Sequence, residues 1–279
     1  MNGMSSRAII WLSIAAGVLL LLAGFGLWLQ RDIFDEDRFV QRTVTIIGTK
    51  EVRTAIANEV VDVAFEDFPA AKELFEDFLE SSLSAILDSE IIKPAIEEIA
   101  GQIHQALTSP DPQAVALDIS SVTDPVKAVV KEIPGLDPKV KKAVRDVPAE
   151  IVLLKKGEVP SIYTIGTIFM WLSPIAGLAG IGILIWIVWA AGTGRRPYAL
   201  RTAGLSIAAV SLVGIVLIKA FRGPILAGIS GNLEIIIESI YDSFTAGLVR
   251  QTWYLLFAGL LTAVIGLALD FIASWRAPE

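Results

Sequence analysis

AIIWLSIAAGVLLLLAGFGLWL, residues 8–29, decides the fold. The run carries no charge, and at about 1.5 Å per helical residue it crosses a hydrocarbon core of about 30 Å. Three further apolar runs, 162–190, 198–218 and 252–273, close the chain. A long polar and charged segment separates the first run from the other three. This order predicts an all-α membrane protein, a four-helix bundle with a mainly helical extracytoplasmic module inserted after the first transmembrane helix. The expected divisions are a signal anchor over 1–30, the module over 31–161, and spans over 162–190, 198–221 and 252–275. A second extracytoplasmic loop over 222–251 lies between the last two spans.

Composition agrees with a membrane setting. Hydrophobic residues make up 54% of the chain and mean hydropathy is +0.63, outside the usual range of soluble domains. Charge is unevenly placed: residues 31–160 hold 15 Lys/Arg against 25 Asp/Glu. So acidic a module has no electrostatic reason to approach nucleic acid, where phosphate neutralisation dominates binding, and anionic head groups repel it. The chain has no cysteine, which removes disulfides, thiolate catalysis and Cys-ligated metal centres. The module is therefore expected to be held by its own core.

Basic residues near short loops set the expected orientation. Arg7 precedes the first run, Arg195, Arg196 and Arg201 flank the turn between the second and third, and Arg276 follows the fourth. Four crossings put all five on one side, which the positive-inside rule assigns to the cytoplasm. The chain is then a multi-pass protein of the cell membrane with both termini inside. Aromatic residues fit two interfacial belts: Trp11, Trp189, Tyr198 and Trp275 at the inner ends, Trp28, Tyr163, Trp253 and Tyr254 at the outer ends. The first run is longer than a secretory h-region and ends without an A-x-A site, so it reads as an uncleaved anchor.

Helical periodicity runs through the first part of the module. Asp35 is an N-cap for a helix with Phe39, Val40, Val44 and Ile47, stopped by Gly48. Thr49 opens the next, with Val52, Ile56, Val60, Val63 and Ala64 on one stripe. Pro69 opens a third with Leu74, Phe75, Phe78, Leu79 and Leu83, and Asp88 or Ser89 a fourth through Ile103 and Leu107. Past Pro110 and Pro112, Val115, Leu117 and Ile119 alternate as in a strand, and 151–155 is a second β-prone run. A small two-stranded β element is expected there, with short helices near 124–133 and 137–147 between its strands.

Three short motifs carry a resemblance. They are Phe34-Asp35-Glu36-Asp37-Arg38-Phe39-Val40 after the first span, the group Val52, Arg53, Ala55, Ile56, Ala57 and Val60, and Val115-Ala116-Leu117-Asp118-Ile119. In these motifs and in layout the chain resembles an uncharacterised group of bacterial, actinomycete-type integral membrane proteins. That group has four spans, a large extracytoplasmic insertion after the first span, and an Arg-bearing turn between the second and third. The resemblance implies topology and no mechanism.

Catalytic signatures are lacking. His104 is the only histidine, whereas a zinc site or a triad needs several partners. Beside Gln102 and Gln105 it reads as a solvated residue. Glu73, Glu76, Asp77 and Glu80 read as the wet face of a helix. Asp32, Asp35, Glu36 and Asp37 offer oxygens to a hard cation but lack the spacing of a calcium loop; capping explains them as well. Gly192, Thr193 and Gly194 form a turn. No metal, cofactor or catalytic residue is therefore assigned.

Intramembrane ionisable residues are functional candidates by default. Asp270 and Arg201 lie at a similar depth near the inner face and are expected to form an ion pair. Lys219 snorkels at the outer end of its span beside Arg222. Pro174, after Ser173, is expected to kink the second span. The pairs Ala176/Gly180, Gly204/Ala208 and Gly259/Ala263 allow close helix approach, within the chain or between copies. In the second outer loop, Leu233, Ile236, Ile237, Ile240, Phe244 and Leu248 form one stripe and Glu234, Glu238 and Asp242 another. A helix on a membrane surface usually carries Lys/Arg on its polar face, so this one is expected to be an interaction helix docked on the module.

Taken together, the residues point to a non-enzymatic protein of the cell envelope that presents its module for protein interaction or assembly. Its expected partners are the bilayer and a protein partner or a second copy. The alternative is a transporter or channel component, working as an oligomer.

Overall fold

In the computed structural model, the described residues are 4–64, 93–111, 115–118, 150–154 and 162–275. Among them, four helices are long and apolar enough to cross a membrane. The first is α1 (Ser6–Asp32), capped where the Ser5 hydroxyl accepts the Ala8 N–H. Next come α2 (Glu36–Ile47), α3 (Lys50–Ala64) and α4 (Lys93–Thr108). Strands β1 (Val115–Asp118) and β2 (Glu150–Leu154) pair antiparallel. Three apolar helices follow: α5 (Tyr163–Ala190), α6 (Arg196–Leu226) and α7 (Asn232–Trp275).

Local signals explain most boundaries. Asp35 caps α2 by accepting the Arg38 N–H at 3.0 Å, and Gly48 is its C-cap. Gly192, at φ +77°, turns the chain after α5 into a single 3-10 turn, Thr193–Arg195. Gly228 and Gly231 also sit at positive φ between α6 and α7, a region that costs other residues a clash with the neighbouring backbone. The helices expected over 69–83, 124–133 and 137–147, the start of the fourth near Asp88, and Arg276 lie outside the described residues.

In the bundle α1 takes the central place, between α5 and α6. On one side the Ser173 hydroxyl donates 2.7 Å to the Ala23 carbonyl. On the other, a Cβ at Gly17 would lie 3.3 Å from Val210. α7 packs along α6. Helix α5 passes through Pro174 without interruption; the amide it lacks costs one backbone hydrogen bond.

The last helix departs from expectation. The sequence predicts a docked helix over 233–248 and a separate span from 252, but α7 is one uninterrupted helix of 44 residues. Arg250 and Gln251 change polarity without stopping a helix: both propagate it well, and neither glycine nor proline stands between 248 and 258. α7 therefore enters the module directly from the bundle. There Phe244 joins Phe39, Ile46 and Val52 in a buried cluster, with Ile33, Ile56, Ile103, Leu107 and Ile236 packed around it.

Candidate functional site

The densest polar arrangement lies where the end of α1 meets α2 and α7. Asp32 closes α1 and is 2% exposed. Its Oδ1 accepts from Arg42 Nη2 at 2.7 Å, and its Oδ2 from Arg31 Nη2 at 2.9 Å and Arg31 Nε at 3.3 Å. Arg42 also donates through Nη1 to the Ser243 and Phe244 carbonyls, each at 3.2 Å. Its guanidinium carbon lies 5.5 Å from the Phe244 ring centroid. Trp28 Nε1 donates to the same Phe244 carbonyl at 2.9 Å. Gly247 leaves the room this needs, since a Cβ there would sit 3.1 Å from Asp32 Oδ2. The result is a clasp that fastens α1, α2 and α7 to one another.

Chemically the clasp is quiet. A buried carboxylate that accepts three hydrogen bonds from two guanidinium groups has its own charge compensated and little acceptor capacity left. It is no general base and no free metal ligand. The acidic group read from the sequence is thus divided: Asp32 turns inward, Asp35 caps α2, and Glu36 and Asp37 face solvent. Among the described residues no three His, Cys, Asp or Glu side chains converge to hold a metal.

His104 corrects the sequence reading. It is 5% exposed, not solvated, and its ring centroid lies 5.3 Å from that of Phe39. Neither ring nitrogen has a hydrogen-bond partner among the described residues. The polar neighbours Gln102 and Gln105 mislead because His104 falls one turn after the buried Ala100, on the α4 face that meets α2. Trp28 is corrected too. The sequence places it in the outer aromatic belt, yet it is buried at 8% exposure and spends its indole N–H on α7. Trp11, Trp189, Trp275 and Tyr254 keep the exposed positions that a belt requires.

Beside the clasp is an apolar cavity of about 570 Å³, walled by Ile33, Ile46, Ile56, Ile103, Leu107 and Ile240 among others. Of the stripe expected to interact, Phe244 is buried and Ile236 packs into the same cluster. Ile237 is half-buried, while Leu233 and Ile240 are more exposed. The polar face of α7 is tied to α6: Arg222 pairs with Glu238 and lies 3.6 Å from Asp242. The Tyr241 hydroxyl donates to the Ile218 carbonyl. Asn232 Nδ2 reaches Asp62 Oδ2 at 3.3 Å, so the start of α7 lies near the end of α3.

At the far end of the bundle Arg201 Nη1 and Asp270 Oδ2 lie 3.6 Å apart, both with substantial exposure. Arg195 donates to the Met4 carbonyl and the Ser6 hydroxyl, at 2.8 and 2.7 Å, which closes α1 against the turn before α6. The small-residue pairs find their partners inside the chain. A Cβ on Gly204 would come within 2.4 Å of the Ala263 nitrogen, and one on Gly259 within 2.8 Å of the Ala208 nitrogen. Gly180 meets Leu20 and the Ala16 carbonyl of α1.

Sequence reading missed the clasp, because Asp32 and Arg42 lie on different helices and Phe244 is more than 200 residues further on. Only an acidic residue directly beneath the end of an apolar run hinted at it. Comparison with protein-family models, with curated proteins and with solved structures returns no match. The four apolar helices are compatible with a multi-pass membrane protein, and function rests on the geometry.

Proposed function

We propose that the chain is a non-enzymatic envelope protein whose bundle is a mount and whose module is presented outside the membrane for protein interaction or assembly. One observation carries this reading: the clasp of Asp32, Arg31 and Arg42 with the Ser243 and Phe244 carbonyls fixes the base of the module to the bundle. A platform that must hold a partner in a set orientation needs that rigidity, because each loosened joint adds an ordering cost on binding. Transport receives less support. Apart from Asp32 in the clasp, the buried polar residues described in the bundle are Ser13, Ser173, Ser211 and Thr252, and three of them donate to helix carbonyls. Charged groups lie at the ends of the helices, away from the mid-depth where coupled transporters place them.

The test compares the wild-type chain with Arg42→Ala in native membranes after cross-linking. Retained insertion with loss of the cross-linked complexes supports presentation through a rigid base. Unchanged complexes, together with solute flux through liposomes containing only the purified chain, would replace this reading with transport.

A further inference from the structure

A groove runs down the outside of the bundle between α1 and α7, beside the clasp. Its upper part, a cavity of about 670 Å³, is walled by Gln30, Arg31, Asp35, Arg250, Gln251 and Tyr254 among others. Its lower part, about 420 Å³, is walled by apolar side chains, among them Leu20, Leu27, Ile181 and Leu255, over Gly24 and Gly177. Leu27, Gln251 and Tyr254 line both parts, so they form one continuous recess with a charged head and an apolar tail. We propose that this recess binds one phospholipid of net negative charge, taken from the leaflet on the module's side. Arg31 and Arg250 hold its phosphate, and one acyl chain lies over Gly24.

Depth supports the assignment. Arg31 follows the charge-free run of α1, and Arg250 stands just before the apolar stretch that begins at Thr252. Both arginines therefore lie at head-group level. From Arg31 down to Leu20 is about 16 Å at 1.5 Å per residue, close to the roughly 15 Å of one leaflet's hydrocarbon. An occupant with a soluble tail would not fit below; an acyl chain does.

Charge supports it as well. Arg31 gives Nε and Nη2 to Asp32; among the described residues its other donors have no partner, and a guanidinium has five in a planar fork suited to phosphate. Among the described residues Arg250 has no ion pair, and it is exposed. The carboxylate in the wall, Asp35, is drawn away: Oδ1 accepts the Arg38 N–H at 3.0 Å, and Oδ2 lies 4.0 Å from Arg38 Nε. The rest of the module is strongly acidic and repels such head groups, so attraction is confined to this collar. Within the recess the Gln251 amide nitrogen lies 3.1 Å from where a Gly24 Cβ would be. It is a further donor at the boundary between head and chain.

The test uses the full-length protein in detergent and native mass spectrometry, with equimolar phosphatidylglycerol and phosphatidylcholine of identical chains. Phosphatidylglycerol should be retained about tenfold over phosphatidylcholine: both offer the phosphate, but the choline cation is repelled by the two arginines, and about 1.4 kcal/mol of such repulsion gives that ratio. Arg250→Gln should weaken that preference severalfold, to what Arg31 alone supports, without lowering the melting temperature, and Arg250→Lys should keep it. Leu255→Trp, which fills the apolar part, should reduce retention of both. Equal retention by the wild type, an unchanged preference in Arg250→Gln, or full retention in Leu255→Trp would each overturn the proposal. So would displacement by glycerol phosphate, which would identify a phosphate site with no use for the chain.

Discussion

Asp32 and His104 are the two buried ionisable side chains whose surroundings differ most. Asp32 accepts three hydrogen bonds from two arginines, and removing its charge leaves Arg42 without its counter-ion. Asp32→Asn should therefore destabilise the protein by about 3–5 kcal/mol, the usual effect of breaking one partner of a buried pair. Thermal unfolding in detergent would show it, and an unchanged midpoint would mean that the clasp is not structural. His104 is the reverse case: among the described residues its two buried ring nitrogens have no partner, and a nitrogen left unpaired costs about 1–3 kcal/mol. His104→Leu keeps an apolar bulk against Phe39 and should raise the melting temperature; a fall would show that the nitrogens are hydrogen-bonded after all. Neither environment was legible in the sequence. A single residue's burial depends on which helix lands on it, and Phe39 reaches His104 from more than 60 positions away. Asp35 was legible as a cap because the group it satisfies is three residues along the same chain.

At the level of helices, the sequence identified the apolar runs and the small-residue pairs, while the register between helices came only with the structure. Gly204 and Gly259 face each other across α6 and α7 so closely that a methyl group meets backbone. Gly204→Ala should weaken the α6–α7 contact by about 1–3 kcal/mol, the range of overpacking. Gly182 has nothing within 4 Å of a built Cβ, and Gly182→Ala should be neutral or slightly stabilising. Parallel unfolding curves in one detergent check both; equal shifts would mean that the close approach is not tight. Because these pairs are occupied within one chain, self-association would have to use another face. The continuity of α7 was hidden for a different reason. A change from polar to apolar composition resembles a boundary between elements, although backbone hydrogen bonding ignores it unless glycine or proline intervenes.

For the molecule as a whole, the proposed orientation follows from the arginines at one end of the bundle. Single cysteines at Thr193 and Ser109, in a chain that has none, report the two faces. An impermeant thiol reagent on intact cells should label position 109 and spare position 193; labelling at 193 would invert the topology. The acidic module and the basic end then lie on opposite faces, with the Arg31 and Arg250 collar between module and bilayer.

α7 has a mechanical consequence. At 1.5 Å per residue it is a rod about 66 Å long, and the part over 232–251, before the apolar stretch that begins at Thr252, accounts for about 30 Å of it. Helices answer a thicker or thinner bilayer by changing tilt, at a cost of fractions of a kcal/mol per ångström of mismatch. Without a hinge, a change of about 10° at the membrane swings the far tip by about 5 Å. Phe244 and the clasp ride on that lever, so any tilt of α7 would be carried directly to the residues packed on it.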